Sequence, residues 1–496
     1  MGPARVAVDW TGVLGVPALG RVPAEGFSGF SCRPGEVEAG DLFFAFPEFL
    51  AYNRWSDGLA RIGEARARGA AGVVADRPTG ASFAAGWVVP DPRKAFAEAA
   101  RAAYGRPDEA LDLIGVTGTN GKTTTVRLIA HLAGVPGAAA ASMGTLGCWL
   151  GDRRIESMDY TTDLAHESMR RLARLRAAGA GLVAMEVSSH ALALDRVERF
   201  CFRAGVFTNF TQDHLDFHGD TESYFAAKRR LFERLPPGGT AVINAADPRA
   251  AALAAASSGG LLTYSTDTAF PADVMAEDVR PGASSLRLRF AWRGRSHDLV
   301  APLAGRFQAD NVLAAVAALL ALGHSPERLC ESAGDFPPVP GRMETVVLGG
   351  GATAVIDYAH NPGGLENLLR ACRGMEHRKL LLVFGCGGDR DRGKRPLMGR
   401  LGEALADRLF VTSDNPRTED PARIIRDILG GMDNPERAAV DPDRAAAIAA
   451  ACAAAGEGDL VVVAGKGHED YQIIGTEKTP FSDRREVEFW TAKAVD

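Results

Sequence analysis

Ile114–Thr125 reads Ile-Gly-Val-Thr-Gly-Thr-Asn-Gly-Lys-Thr-Thr-Thr, and the class of fold turns on it. An apolar run, Leu111–Val116, enters a loop containing Gly118 and Gly121 and leaves through Lys122-Thr123-Thr124 into the helical pattern Val126–Leu132. Strand, glycine loop and helix in that order bring backbone N–H groups and a positive helix end to one point. Lys122 adds a cation and Thr123 a hydroxyl able to hold Mg²⁺, so the stretch implies a nucleoside-triphosphate site built from Gly118, Thr119, Asn120, Gly121, Lys122, Thr123 and Thr124. Val116 stands where the strict phosphate-loop spacing has its first Gly. A turn whose glycines serve backbone geometry alone is the competing reading, and the strand before and helix after favour phosphate.

Working outward, 496 residues exceed one ordinary core and suggest roughly three domains. A net charge of -6 with mixed signs offers no basic field for nucleic acid and no polybasic membrane anchor. Small molecules are therefore the expected partners. Seven scattered cysteines without a Cys-x-x-Cys pair suggest neither a disulfide framework nor a zinc site. With no run of membrane-helix length and no unbroken apolar segment in Met1–Asp41, the expected location is the cytoplasm.

The chain divides into an N-terminal α/β unit (1–104), a central unit (105–340) and a C-terminal unit (341–496). In the first, Asp41–Phe46 and Gly72–Asp76 read as strands and Leu59–Arg68 as a helix whose arginines are a solvated face. In the second, Leu111–Val116, Leu182–Val187, Ala204–Asn209 and Ala241–Asn244 alternate with helical patterns, which predicts a parallel sheet carrying ligands at its carboxyl ends. Ser285–Val300 reads as a marginal hairpin. After the proline-rich Pro337–Gly341, strands at Ala354–Tyr358, Leu380–Gly385, Leu409–Ser413 and Leu460–Ala464 alternate with helices such as Ala445–Ala455, a Rossmann-like third unit.

Glu186 and His214 close strands near the loop, where an oxygen and an imidazole can hold Mg²⁺ with Thr123. By periodicity Lys228 is a helix-surface lysine. Asp357-Tyr-Ala-His and the run from Cys386 to Arg395 read either as a second binding face or as solvated loops. In Asp414-Asn415-Pro-Arg417 and Gly465-Lys-Gly-His-Glu469, Arg417 can clamp a carboxylate and Glu469 an ammonium, which suggests a zwitterionic ligand.

Gly118–Thr124, Met185-Glu-Val-Ser-Ser-His190, Asp213-His-Leu-Asp216, Asp357-Tyr-Ala-His360, Phe384–Arg390 and Asp414–Arg417 occur in this order, and the chain from about Ile114 to Asp483 resembles the Mur ligase family. The resemblance is strongest to members that add the third residue of the peptidoglycan stem. It implies three α/β domains, for a UDP-sugar, for ATP and for the incoming amino acid, in a monomeric cytoplasmic enzyme. It implies that ATP and Mg²⁺ serve a ligase joining meso-2,6-diaminopimelate to UDP-N-acetylmuramoyl-L-alanyl-D-glutamate through an acyl-phosphate. On it, Lys122, Glu186, His214 and Lys228 are catalytic, with Thr123, Glu186, His214 and a carbamylated Lys228 at the metal. Asn311 would face adenine, Arg342 a phosphate and Asp357 the ribose. Thr161, Thr162, Ser188 and Arg196 would hold the muramoyl-peptide, and Arg390, Asp414, Asn415, Arg417, Gly465 and Glu469 the diamino acid. The family's Asp-Ser-Arg uridine element has no match at Arg33-Pro34-Gly35. Two alternatives follow, a relative joining an amino acid to a different carboxylate and a non-catalytic binding protein on the same fold.

Overall fold

The computed structural model describes residues 8–47, 49–51, 54–80, 83–134, 139–282 and 284–491. They fall into two compact units, one made of residues up to Gly115 with Val135–Arg203 and Arg234–Pro236, the other of Val116–Gly134, Ala204–Glu233 and Pro237 onward.

In the first unit, a five-stranded sheet runs in the order Leu19–Gly20, Ala85–Val88, Gly72–Ala75, Leu42–Phe44, Phe30–Ser31. Its inner strands are parallel, as the apolar runs at Asp41–Phe46 and Gly72–Asp76 require when both faces are covered. The helix read at Leu59–Arg68 is shorter, Ile62–Ala67, because Leu59 and Ala60 lie in the turn before it. Further along, Ala180–Glu186 pairs in parallel with Ala139–Gly144, which is followed by the antiparallel strands Gly147–Leu150 and Arg153–Glu156. On its other side Ala180–Glu186 neighbours Asp112–Thr117, the strand that leads to the glycine loop.

In the second unit, Ala204–Phe207, Thr240–Asn244, Gly260–Ser265 and Val274–Pro281 pair in parallel. The hairpin read at Ser285–Val300 is Leu286–Trp292 with Arg295–Ala301, antiparallel about Arg293-Gly294, and it extends this sheet through Val274–Pro281. A six-stranded sheet follows in the order Glu344–Val347, Thr353–Asp357, Leu460–Ala464, Leu380–Phe384, Arg408–Val411, Ala438–Val440, all parallel except at its first strand. Alternate residues face opposite cores: Val355, Leu382 and Val462 pack on one side, Ile356, Val383 and Val463 on the other. Burial on both faces explains why these strands read as unbroken apolar runs.

All seven cysteines are free thiols. Among the described residues no helix is long and apolar enough to cross a membrane.

A buried ion pair lies in the first unit. Asp108, 1% exposed, accepts from Arg101 Nε at 2.8 Å and from the Cys201 N–H at 2.9 Å. Breaking one side of a buried pair leaves the other charge desolvated. Asp108→Ala is expected to destabilise the protein by about 3 kcal/mol, read as a lowered urea midpoint; an unchanged midpoint would show the pair to be energetically neutral.

Candidate functional site

Asp112–Thr117 is apolar and buried after its first residue, and the chain turns sharply at its end. Gly118 has φ 146° and Gly121 φ 86°, backbone that L side chains rarely adopt. A Cβ at Gly118 would meet Thr208 Oγ1 at 1.9 Å and one at Gly121 would meet Asn311 Oδ1 at 2.2 Å. The loop is pinned from the end of Ala204–Phe207: the Thr119 N–H donates to Asn209 O (2.8 Å), the Asn120 N–H to Asn209 Oδ1 (3.0 Å), and Thr208 Oγ1 to Asn120 O (2.6 Å). The helix Lys122–Ala133 starts with Gly121 as its N-cap, without a capping side chain, and its positive end faces the loop.

Two ammonium groups meet at this loop. Lys122 Nζ donates to Gly118 O (2.9 Å) and Thr119 O (2.8 Å), and Lys228 Nζ to the same Gly118 O at 2.7 Å. Far from being a surface residue of helix Thr221–Glu233, Lys228 is 1% exposed, its Nζ 4.4 Å from the Tyr224 ring centre, and among the described residues it forms no ion pair. Periodicity missed this because the helix buries that face against the loop. Burial, and secondarily the charge of Lys122, holds the Lys228 amine well below the usual lysine range.

Beside the lysines stands a carboxylate. Burial opposes ionisation of Asp213, but neighbouring groups, His360 and Lys394 among them, keep it well below the usual range. Asn361 Nδ2 donates to Asp213 Oδ2 at 2.9 Å and to Asn120 Oδ1 at 3.1 Å, and His360 Nε2 lies 3.6 Å from Asp213 Oδ2. His214, at φ 54°, keeps 36% of its side chain exposed, and burial of the rest, with the Lys394, Lys228 and His360 charges, favours its neutral ring. Thr123 Oγ1 accepts from Arg342 Nη2 at 2.9 Å, and the Arg342 guanidinium lies over Tyr358. Asn311 is 5% exposed, its Oδ1 against Gly121 and its Nδ2 donating to Gln308 Oε1 at 2.8 Å. Asp357 accepts the Met343 and Ala359 N–H groups at 2.8 Å each.

The carboxyl ends of the six-stranded sheet carry a second cluster. Asp414 is buried next to Gly465, where a Cβ would come within 2.6 Å of its Oδ2. Lys466, fully buried, donates to Asn415 Oδ1 (3.1 Å) and Glu469 Oε2 (2.8 Å), while Asn415 Nδ2 donates to the same Glu469 oxygen at 2.9 Å. Arg417, at φ 51°, sends Nη1 to Gly388 O at 2.7 Å, and Arg390 Nη1 stands 3.8 Å from Asp216 Oδ2. Arg417 and Glu469 thus belong to the same polar cluster, with Glu469 paired to Lys466 and Arg417 bonded to a backbone carbonyl.

In the first unit, Glu186 ends its strand with Oε1 accepting the Thr145 N–H at 2.9 Å and Oε2 the Thr145 hydroxyl at 3.2 Å. Thr162 Oγ1 donates to Glu186 O (2.9 Å) and accepts the Ser188 N–H (3.0 Å); Arg196 Nη1 donates to Thr162 O (3.0 Å) and its guanidinium lies 4.6 Å from the Tyr160 ring centre. Thr161 and Thr145 share a hydroxyl hydrogen bond of 3.1 Å. Thr161, Thr162, Ser188 and Arg196 thus form one continuous polar group.

Sequence spacing did not single out Asn361, His360 or Lys466. His360 and Lys466 lie inside motifs already noted and Asn361 directly after one, and the buried amide at Asn361 becomes significant only when residue 120 is seen next to it.

With this geometry in view, two family models match the chain, the Mur ligase middle domain over residues 116–319 and the Mur ligase glutamate ligase domain over residues 341–467. A UDP-N-acetylmuramoyl-L-alanyl-D-glutamate--2,6-diaminopimelate ligase of Parasynechococcus marenigrum is 47% identical over 80% of this chain and 80% of its own length. A protein of the same description from a Synechococcus species is 44% identical over 96% of each. A solved structure so described covers 99% of both chains at 33% identity with a TM-score of 0.68.

A buried amine held below its usual range penalises the folded state at neutral pH, and the penalty shrinks as pH rises toward the ordinary lysine value. Lys228→Met is therefore expected to melt no lower than wild type near neutral pH, and to lack the part of the wild-type stability gain that Lys228 contributes between about pH 7 and about pH 9. Thermal melts across that range check this; a clear loss of stability in the variant would contradict it.

Proposed function

The chain belongs to the Mur ligase family, and on that premise we propose that it is an ATP-dependent, ADP-forming ligase that adds meso-2,6-diaminopimelate to UDP-N-acetylmuramoyl-L-alanyl-D-glutamate in peptidoglycan precursor synthesis. One observation carries the reading beyond the family: within the second unit, a glycine loop whose Gly118 carbonyl accepts from two lysines accompanies a sheet end that carries Arg417 and Glu469. A triphosphate needs the first, and an amino acid with an extra carboxylate needs the second.

In the proposed chemistry the terminal carboxylate of the muramoyl-dipeptide attacks the γ-phosphorus of ATP, giving an acyl-phosphate and ADP. An amino group of diaminopimelate then attacks the activated carbonyl and expels phosphate. Lys122 and the loop N–H groups offset charge developing on the transferred phosphoryl group. When bound, Mg²⁺ supplies charge neutralisation at the phosphates. The Thr123 hydroxyl, the neutral His214 ring and a carbamylated Lys228 fit it as donors. Carbamylation needs an uncharged amine, which burial at Lys228 favours; the amine nitrogen bonds to the carbon of CO₂, a proton leaves, and the neutral amine becomes an anionic, carboxylate-like carbamate. Glu186 is proposed for the metal on the family resemblance alone.

Arg342, Asn311 and Asp357 are proposed for the nucleotide, Thr161, Thr162, Ser188 and Arg196 for the muramoyl-peptide, and Arg390, Asp414, Asn415, Arg417, Gly465 and Glu469 for the diamino acid. The proposed domain limits are 1–104, 105–340 and 341–496, and the enzyme is proposed to act as a cytoplasmic monomer.

Phosphate release with ATP and the UDP-dipeptide, comparing meso-diaminopimelate, lysine and ornithine as acceptors, tests the reading. Turnover is expected with diaminopimelate, at a kcat/KM at least about tenfold above lysine. Preference for lysine would overturn the role of Arg417, and no turnover with this UDP-dipeptide would overturn the substrate. Arg417→Lys is expected to lower kcat/KM for diaminopimelate by roughly a hundredfold, because a point charge replaces a planar two-donor fork; a change below about twofold would show that no carboxylate is bound there.

A further inference from the structure

The two loops proposed to hold the incoming amino acid leave strands that do not touch. Asp414 follows Arg408–Val411 and Gly465 follows Leu460–Ala464, and Leu380–Phe384 lies between these strands, so no backbone ladder joins one loop to the other. Besides the contacts of Lys466 and Glu469 with Asn415 farther along the loops, Arg444, the first residue of helix Arg444–Ala453, connects the two loops at their starts. Its Nη1 donates to Ser413 O at 3.2 Å and its Nη2 to Ala464 O at 3.0 Å. Those carbonyls immediately precede Asp414 and Gly465.

The guanidinium is itself oriented. Its Nε and Nη2 donate to the two carboxylate oxygens of Asp483, each at 2.7 Å, and both side chains are enclosed. Asp483 opens the helix Asp483–Glu488 near the end of the chain. A planar fork can hold a carboxylate on one side and two carbonyls on the other, whereas an ammonium cannot fix this geometry. The clearance is small, since a Cβ at Gly465 would come within 2.6 Å of Asp414 Oδ2 and within 3.8 Å of Arg444 Nη2. Stability alone is a weak reason for such an arrangement, because apolar residues often replace a buried ion pair without loss.

We propose that Arg444 is a positioning residue for the diamino-acid acceptor, setting the spacing of Asp414 and Gly465, and that Asp483 makes the helix Asp483–Glu488 part of that site. This rests on the function proposed above. The guanidinium reaches the ligand only through the two loops. Its loss therefore loosens one substrate and spares the others.

The test uses the full chain and the variants Arg444→Lys, Asp483→Asn and the double variant Arg444→Met/Asp483→Leu, which replaces the pair with apolar groups. KM is measured separately for ATP, the UDP-dipeptide and diaminopimelate, alongside thermal midpoints. The KM for diaminopimelate is expected to rise roughly tenfold or more in all three, with the KM for ATP within about twofold of wild type. An unchanged diaminopimelate KM in folded variants, or a parallel rise for all substrates, would overturn the proposal, as would loss of the folded state in every variant. Wild type inactive with diaminopimelate counts against the proposed function; wild type active beside variants of unchanged KM counts against Arg444 alone.

Discussion

The Gly118 carbonyl accepts from both Lys122 and Lys228, and much of the second unit is arranged around that shared oxygen. Two ammonium groups at one neutral acceptor would repel each other, and at Lys228 the environment is dry, so both effects favour the neutral amine there. Such a site is electrostatically unfinished. On the function proposed above, phosphate would complete it from the outside and carbamylation of the Lys228 amine from within. The constraint also explains the glycines. With side chains excluded at residues 118 and 121 by Thr208 and Asn311, the loop backbone can turn carbonyls toward the lysines ahead of a helix start that has no capping side chain.

Asn361 carries that arrangement into the C-terminal part of the same unit. Its amide spans Asp213 and Asn120, so a residue following Thr353–Asp357 reads the position of the glycine loop directly. Arg342 does the same through Thr123, and Asp391 through Gln212 at 3.4 Å. Polar contacts of this kind are replaceable by ligand or water at small net cost, unlike an apolar seam. On the proposed function they would suit a surface that opens for nucleotide and closes again for the amine, with Arg444, as proposed, keeping the acceptor loops in register.

Much of the fold was legible because the strands of the six-stranded sheet are buried on both faces, and a run such as Leu460–Ala464 admits few other readings. Boundaries shifted where turn geometry intervened, as at Ile62–Ala67. The glycine loop was readable from its chemistry, and the charges at Arg417 and Glu469 from theirs. Lys228 was not, because a lysine on an amphipathic helix looks solvated until the partner surface is known. Arg444 and Asp483 were invisible for a related reason: they act across 39 residues of sequence, joining carbonyls whose own residues carry no functional side chain. Asn361 likewise gains meaning only from Asn120, 241 residues away.

The central claim, that the buried Lys228 amine is uncharged and becomes an anion beside the loop, is tested most directly by ¹³C NMR of the protein equilibrated with ¹³C-labelled bicarbonate. The account predicts one carbamate carbonyl resonance, present in wild type and missing from Lys228→Ala. A wild-type spectrum without that resonance, from enzyme that still turns over, would contradict it.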